Sequence, residues 1–279
     1  MNKLILIYKE ENMTSHDVVN MARRSLKTKR IGHTGTLDPN ATGLMVLAIN
    51  KATKLVNYLQ YDDKEYIVQM AFGQMSDTQD QWGTIVKEQD VMPFSKEELE
   101  RVLQSFVGDV IQTPPIYSAI KVKGKKLYEY ARNNEPVDIP SRTITIKEIE
   151  LLDFDDEYKF RVVCSAGTYI RTLVSDIAEK LNNIGFMTSL VRTRVGSMHL
   201  EDANSIEQLK VGDVQFIDFE EVLSEYPKIE YHTAADIFNG RRIELESKDD
   251  LVIITIDKVS VAFYEREHNQ TFKCKRGLW

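Results

Sequence analysis

Apolar and polar positions alternate along the chain in two periods, and the segments where each holds predict its elements. Leu4 to Tyr8 and Leu44 to Ile49 are continuous apolar runs of strand length, read as a short buried strand and a central strand. Tyr66 to Phe72 alternates in part and reads as a further strand running into the polar loop Gly73 to Gly83, while Ile144 to Phe154 and Lys159 to Cys164 pair across the turn Asp155-Asp156-Glu157. Helical spacing occurs at Leu55, Val56 and Leu59 within Ala52 to Leu59, at Leu99, Val102, Leu103 and Phe106 behind an N-capping Ser95, and at Leu173, Ile177 and Leu181 within Ile170 to Leu181. Thr14-Ser15-His16-Asp17 has capping-box spacing and opens a helix to about Leu26; Thr113-Pro114-Pro115 breaks regularity. From about Tyr226 a smaller unit begins, with a short helix near Ala234 to Phe238 and strands at Leu251 to Ile256 and Ser260 to Glu265. Strands and helices without strict βαβ order predict an α+β fold around a mixed sheet, divided into residues 1–225 and 226–279.

Charge changes this picture more than composition does. The net charge of -7 argues against a polyanionic partner, because phosphate is held by Lys and Arg. The distribution reverses that reading. Arg23, Arg24, Lys27, Lys29, Arg30, Lys51 and Lys54 face Asp38 alone between Asn20 and Gln60, whereas Glu201 to Asp257 carries 15 acidic and five basic residues. The apolar runs are far shorter than the roughly 18 to 20 residues of a membrane span, and Met1 to Tyr8 lacks a signal-like cleavage region. Two cysteines, Cys164 and Cys274, form neither a disulfide framework nor a metal-ligand spacing, so a cytoplasmic location is expected.

The chemistry is concentrated in Gly32-His33-Thr34-Gly35-Thr36-Leu37-Asp38-Pro39-Asn40-Ala41-Thr42-Gly43, which places a carboxylate among glycines in cationic surroundings. Such a carboxylate stays ionised at neutral pH and can act as a nucleophile; as a plain connecting turn, the same residues would use Asp38 only as a cap. A phosphate-binding loop fails on detail, because Leu44 and Met45 stand where a nucleotide loop needs its lysine and hydroxyl residue.

Gly32 to Gly43 resembles the GHTGxLDPxATG signature of the TruB-type pseudouridine synthases, shared in related form with the dyskerin group. Further segments fit in order: Lys64 to Gly83 resembles KxYxxxxxxGxxxDTxDxxG, Pro114 to Lys121 resembles PPxYSAxK, Gly167 to Leu173 resembles GTYIRTL, and Leu190 to Thr193 resembles LxRT. The likeness covers about Leu4 to Gly196. It departs from the family's KPxGxTS segment, which here reads Lys9-Glu10-Glu11-Asn12-Met13-Thr14-Ser15, with Glu10 for proline and Asn12 for glycine.

The resemblance implies a catalytic domain with a small PUA-like C-terminal RNA-binding unit, and isomerisation of a T-loop uridine of tRNA, uridine-55, to pseudouridine. It makes Asp38 the nucleophile, attacking C6 of the base or C1′ of the ribose, with Arg171 as its ion-pair partner and Tyr66 stacking on the base and able to share in proton transfer. Leu190 becomes an apolar wall of the base pocket and His33 a wedge into the T loop as the nucleotide is flipped out. Lys9, Lys121, Tyr169 and Arg192 are carried over as substrate-binding positions, and Arg23, Arg24, Lys27, Lys29, Arg30, Lys123, Lys125 and Lys126 as phosphate-holding candidates. No metal, cofactor, membrane or protein partner is implied, and the chain is expected to act as a monomer on tRNA. Two rivals predict something else: a non-catalytic RNA-binding module would lack Asp38, Tyr66 or Arg171, and a nucleotide-dependent phosphotransferase would need the missing lysine.

Overall fold

The computed structural model describes residues 2–60 and 62–279. In chain order the larger unit runs β1 (Lys3–Lys9), α1 (Ser15–Ser25), β2 (Ile31–His33), β3 (Thr42–Ile49), α2 (Val56–Leu59), β4 (Lys64–Phe72), β5 (Gln74–Ser76), β6 (Ile85–Glu88), α3 (Lys96–Gln104) and β7 (Gly108–Gln112). It continues β8 (Lys121–Val122), β9 (Lys125–Lys126), α4 (Leu127–Arg132), β10 (Arg142–Asp153), β11 (Tyr158–Cys164), α5 (Ile170–Lys180), β12 (Gly185–Val195), β13 (Met198–His199), α6 (Ile206–Val211), β14 (Ile217–Asp218) and α7 (Phe219–Val222). A ten-stranded sheet in the order β14-β1-β3-β12-β4-β11-β10-β7, with β2 on β3 and β13 on β12, is its backbone. All its pairings are antiparallel except β12 with β3, so the sheet is mixed and the fold α+β.

The continuous apolar runs have a direct cause. Ile5 and Ile7 of β1 and Met45, Leu47 and Ile49 of β3 point into one core with α1, α3 and α5. Leu4 and Leu6, with Leu44, Val46 and Ala48, point into a second core on the opposite face. Both faces are therefore dry along Leu4–Ile7 and Leu44–Ile49, and those runs carry no polar residue. The second core is closed by residues of the C-terminal sheet, Ile253, Phe263 and Leu278. That sheet has the order β15-β17-β18-β19-β16, formed by β15 (Lys228–Glu230), β16 (Ile243–Glu244), β17 (Leu251–Ile256), β18 (Val259–His268) and β19 (Thr271–Gly277), with α8 (Ala234–Phe238) between β15 and β16. Tyr58 stacks on Phe263 across the seam, ring centroids 3.9 Å apart.

Two expectations change. Ala52 to Leu59 is not one helix: a 3-10 turn, Asn50–Lys54, is followed by the single turn α2, and both bury their apolar residues against the second core. Gly73 to Gly83 is not all loop, because Gln74–Ser76 pairs with β6. The central strand β12 has no clean period-two pattern in the sequence; its register against β4 shifts between Met187 and Ser189 and again between Arg192 and Arg194, and each bulge resets which residues face the core. No helix is long and apolar enough to cross a membrane among the described residues.

Candidate active site

The loop between β2 and β3 is fixed at both ends, which leaves Asp38 at its tip. The hydroxyl of Ser15, at the start of α1, accepts from Leu37 N at 2.8 Å and donates to Leu37 O at 3.0 Å. Ala41 N donates to Asp38 O at 3.1 Å, closing a turn over Pro39 and Asn40, and Leu37 and Ala41 are buried on either side. Gly43 has φ +107°, and a Cβ there would lie 2.3 Å from Arg192 O and 2.6 Å from Arg192 N. Only glycine lets β3 approach β12 this closely, and that approach fixes where the loop ends.

Two residues expected at the RNA are instead buried behind this loop. Lys9 is 0% exposed, and its ammonium donates to Glu10 O, Met13 O and Pro39 O at 2.9, 2.7 and 2.9 Å. Arg192 is 1% exposed, with Nε donating to Leu44 O at 2.8 Å and Nη2 to Gly35 O at 3.1 Å. Neither side chain has a free face for a phosphate. They brace the loop, Lys9 directly beneath Pro39 and Arg192 beneath Gly35, because buried carbonyls need donors. Burial brings Lys9 and the neighbouring buried Lys64 down to about 8. Asn12, replacing the family's glycine, adopts φ +61°, a conformation that asparagine tolerates better than most residues, so the substituted segment keeps a left-handed turn.

Asp38 meets Arg171, in the first turn of α5. Arg171 Nε lies 3.0 Å from Asp38 Oδ2, while Nη1 donates to Thr78 O at 2.8 Å and Nη2 to Tyr117 O at 3.1 Å; Asp80 Oδ2 is 4.0 Å from Nη1. The guanidinium is thus held by three chain segments at once. Thr78, Asp80 and Tyr117 were not picked out from the sequence, although two matched segments, Lys64 to Gly83 and Pro114 to Lys121, contain them. The N-terminus of α5 is pinned through Tyr169, whose N–H and carbonyl bond the two ends of the Gln112 amide at 2.8 and 3.0 Å; the Arg142 guanidinium lies over its ring.

Asp38, Tyr66, Tyr169, Arg171 and Leu190 line one cavity of about 100 Å³ together with Thr36, Leu37, Thr168 and Ile170. That is well under the ~300 to 1,000 Å³ typical of sites for drug-sized ligands, and suits a single planar ring. Tyr66 and Leu190 come from the paired strands β4 and β12, and burial raises the Tyr66 phenol above its ordinary value, keeping it protonated. The cavity opens onto a groove of about 460 Å³ that shares Thr36, Leu37 and Asp38 and adds His16, His33, Tyr117, Ser118, Tyr128 and Arg132. His33 Nδ1 and Ser118 Oγ are buried there without a hydrogen-bond partner among the described residues. Desolvation first, and the nearby Arg192 charge second, lower the His33 imidazole below its ordinary value. Lys121 is exposed on the β8–β9 hairpin, three residues beyond Ser118. Of the wider basic set, Lys125 pairs with Glu135, and Arg23 turns inward to Asn20 and Ile31 O.

Residues 23–170 match the model of the TruB family pseudouridylate synthase, N-terminal domain. The chain is 38% identical to tRNA pseudouridine synthase B of Mesoplasma florum over 99% of each chain, and 42% identical to that of Caldanaerobacter subterraneus subsp. tengcongensis over 85% of this chain and 84% of the relative. Identity to the Staphylococcus aureus protein of the same name is 39%, over 93% and 92%. Among solved structures, a chain of an H/ACA RNP bound to a substrate RNA containing 2′-deoxyuridine aligns with TM-score 0.72 at 22% identity, covering 99% of this chain and 85% of that one. A chain of the archaeal box H/ACA sRNP Nop10-Cbf5 complex aligns with TM-score 0.72 at 23% identity, covering 99% and 86%. These two likenesses establish the fold. With the family model spanning more than half its length and relatives near 40% identity along nearly all of it, the chain belongs to the TruB family of pseudouridylate synthases.

Proposed function

We propose that the enzyme converts uridine-55 in the T loop of tRNA to pseudouridine, with the Asp38 carboxylate as nucleophile on a flipped-out nucleotide. Isomerisation of uridine in tRNA is the activity of its family; the position and the residue roles are what is added here. The observation that carries the reading is a carboxylate at the mouth of a single-ring cavity, oriented by a guanidinium that three other oxygens hold in place. A fixed ion pair keeps the Asp38 carboxylate aimed, as a nucleophile requires.

Asp38 adds to C6 of the uracil or to C1′ of the ribose. By either route the N1–C1′ bond breaks, the base turns, C5–C1′ forms, the bond to Asp38 breaks again to free the carboxylate, and the C5 proton is lost while N1 takes one up, so the reaction is balanced without an oxidant or cofactor. Tyr66 and Leu190 form the faces against which a uracil packs, and the protonated phenol offers a donor. Both reacting carbons are hidden in a stacked loop, and extrusion costs a few kcal/mol. His33 and Ser118 line the groove where the flanking nucleotides would lie. Lys121 contributes charge at the rim. In this reading residues 1–225 perform catalysis, residues 226–279 are a PUA-like RNA-binding unit, and the protein works as a monomer in the cytoplasm.

Incubation with a T-arm stem-loop, followed by chemical mapping of pseudouridine, tests substrate and reaction together. Modification at the single expected position supports the reading; an unmodified stem-loop and unmodified full-length tRNA would refute it.

A further inference from the structure

Helix α5 carries Arg171 in its first turn, yet its N-cap is a tyrosine. That position favours Ser, Thr, Asn or Asp, whose short side chains accept from the free N–H groups of the first turn. Tyr169 makes no such bond. Its side chain is used elsewhere, as a wall of the cavity that also holds Asp38 and Tyr66.

A residue 57 positions earlier fastens the helix end instead. Gln112 is the last residue of β7, where Pro114 and Pro115 end the ladder, and it is 1% exposed. Its Oε1 accepts from Tyr169 N at 2.8 Å, and its Nε2 donates to Tyr169 O at 3.0 Å. The same oxygen accepts from Leu173 N at 3.0 Å in the first bond of the helix. A primary amide offers one acceptor and a donor side by side, as this pair of groups requires; a carboxylate cannot donate.

The approach to α5 is held by the same edge of the sheet. Thr145 O accepts from Ser165 N at 2.8 Å, and Thr145 N donates to Ser165 Oγ at 2.9 Å. Arg142, the register partner of Gln112 on β10, lays its guanidinium over the Tyr169 ring, 4.9 Å from the centroid. Gly167, at φ +86°, leaves room for it, since a Cβ there would stand 3.3 Å from Arg142 Nη1. Backbone and ring of Tyr169 are thus gripped by two neighbouring residues, and Arg171 follows two positions later. The Arg171 guanidinium is already committed to Thr78 O and Tyr117 O, so a shift of its backbone cannot be absorbed without loss of a contact.

We propose that Gln112 is a positioning residue for the isomerisation: by fastening α5 from β7 it sets where Arg171 holds the Asp38 carboxylate and leaves the Tyr169 side chain free to line the cavity. The inference rests on the reading of Asp38 as nucleophile with Arg171 as its orienting partner.

The test is a double-mutant cycle on single-turnover conversion at saturating tRNA. Gln112→Glu keeps the size and the acceptor for Tyr169 N but turns a lone pair toward Tyr169 O; at about pH 8, beside Arg142, the new carboxyl is ionised. Gln112→Met removes both bonds. Conversion is expected to slow about 10-fold and about 100-fold respectively, with the Kd for tRNA within about 3-fold of the parent and both proteins folded at the assay temperature. In an Arg171→Lys background the loss from Gln112→Glu should shrink to about 2-fold or less, because both changes act through one guanidinium. A glutamine that only stabilises the fold would cost the same factor in either background, and that result would overturn the inference, as would parent rates in the folded variants or a loss confined to Kd. Gln112→Glu completes the cycle by itself, so the outcome does not hang on the folding of Gln112→Met. An active Asp38→Asn enzyme or an Arg171→Lys enzyme at the parent rate refutes the underlying reading, whereas slow Arg171→Lys with an undiminished Gln112→Glu effect refutes this inference alone.

Discussion

Arg171 Nε and Asp38 Oδ2 are 3.0 Å apart, yet the arginine side chain is 5% exposed and the aspartate 43%. The pair therefore has a fixed partner and an open one. Thr78 O, Tyr117 O and Asp80 hold the guanidinium from behind, so the carboxylate borrows its orientation from the protein interior while one side faces the cavity. A nucleophile has to be both constrained and accessible, and two residues in opposite environments meet that requirement in the role proposed for Asp38.

Asp38→Asn keeps the shape and removes the proposed nucleophile. Single-turnover conversion at saturating RNA should fall to background while the Kd for tRNA stays within about 3-fold of the parent. Arg171→Lys keeps the charge but cannot reach all four oxygens, and loosening Asp38 should slow conversion about 100-fold. Rapid-quench assays and binding titrations on both variants check this; an active Asp38→Asn enzyme would remove the central claim.

His33→Ala should slow conversion by ~10 to 100-fold without abolishing it, since it forfeits part of the few kcal/mol of flipping energy and none of the chemistry. The His33 value lies below the ordinary 6.5, so the imidazole is neutral at and above pH 7. Between the folded value and 6.5 the unfolded chain binds more protons, and the histidine withdraws stability only as pH falls through that window. Rate profiles of parent and His33→Ala should therefore run parallel above pH 6.5. Profiles that diverge there would place His33 in a proton transfer.

Lys9→Met takes the donor away from three partly buried carbonyls, and each lost hydrogen bond to a charged group costs about 1 to 3 kcal/mol at most. The variant should melt lower and convert more slowly, while the salt slope of tRNA binding stays unchanged because Lys9 touches no phosphate. The Lys9 value of about 8 lies below its ordinary 10.5, so the unfolded chain binds the extra proton between them and this lysine makes the fold gain stability as pH rises through that window. Denaturant titrations at pH 8 and pH 10 should show a smaller gain in the variant; an equal gain would contradict the assignment.

Gly43→Ala would put a methyl group against the Arg192 backbone at 2.3 Å and strain φ +107° besides. Activity should drop more than 100-fold, because the loop carrying Asp38 must move, and a 1 Å displacement alone can cost ~100-fold. Asn12→Gly should be close to neutral, within about 1 kcal/mol, since φ +61° suits either residue. Melting temperatures and single-turnover rates of the two variants give the comparison, and a harmless Gly43→Ala would show that β3 does not need its close approach to β12.

The sequence by itself determined the local pieces. Thr14 and Ser95 close capping boxes where their spacing puts them, and the runs at Leu4 and Leu44 are strands. The loop from Gly32 to Gly43 and the segments in register with it identify the family, because their spacing is preserved along the chain. What lies under that loop was decided only in three dimensions. Lys9 and Arg192 are residue types that ordinarily reach solvent, and a match to a motif cannot tell a phosphate contact from a brace. Here β1 and β12 flank β3, and the loop carbonyls lie over both, so the two cations turn inward to satisfy them. Thr78 and Tyr117 act on Arg171 through backbone oxygens, which leave no trace in residue identity. The stacked rings of Tyr58 and Phe263 join positions more than 200 residues apart, which local pattern cannot bring together; the seam between the sheets does, because burying the second face of β1 and β3 draws the C-terminal sheet onto them.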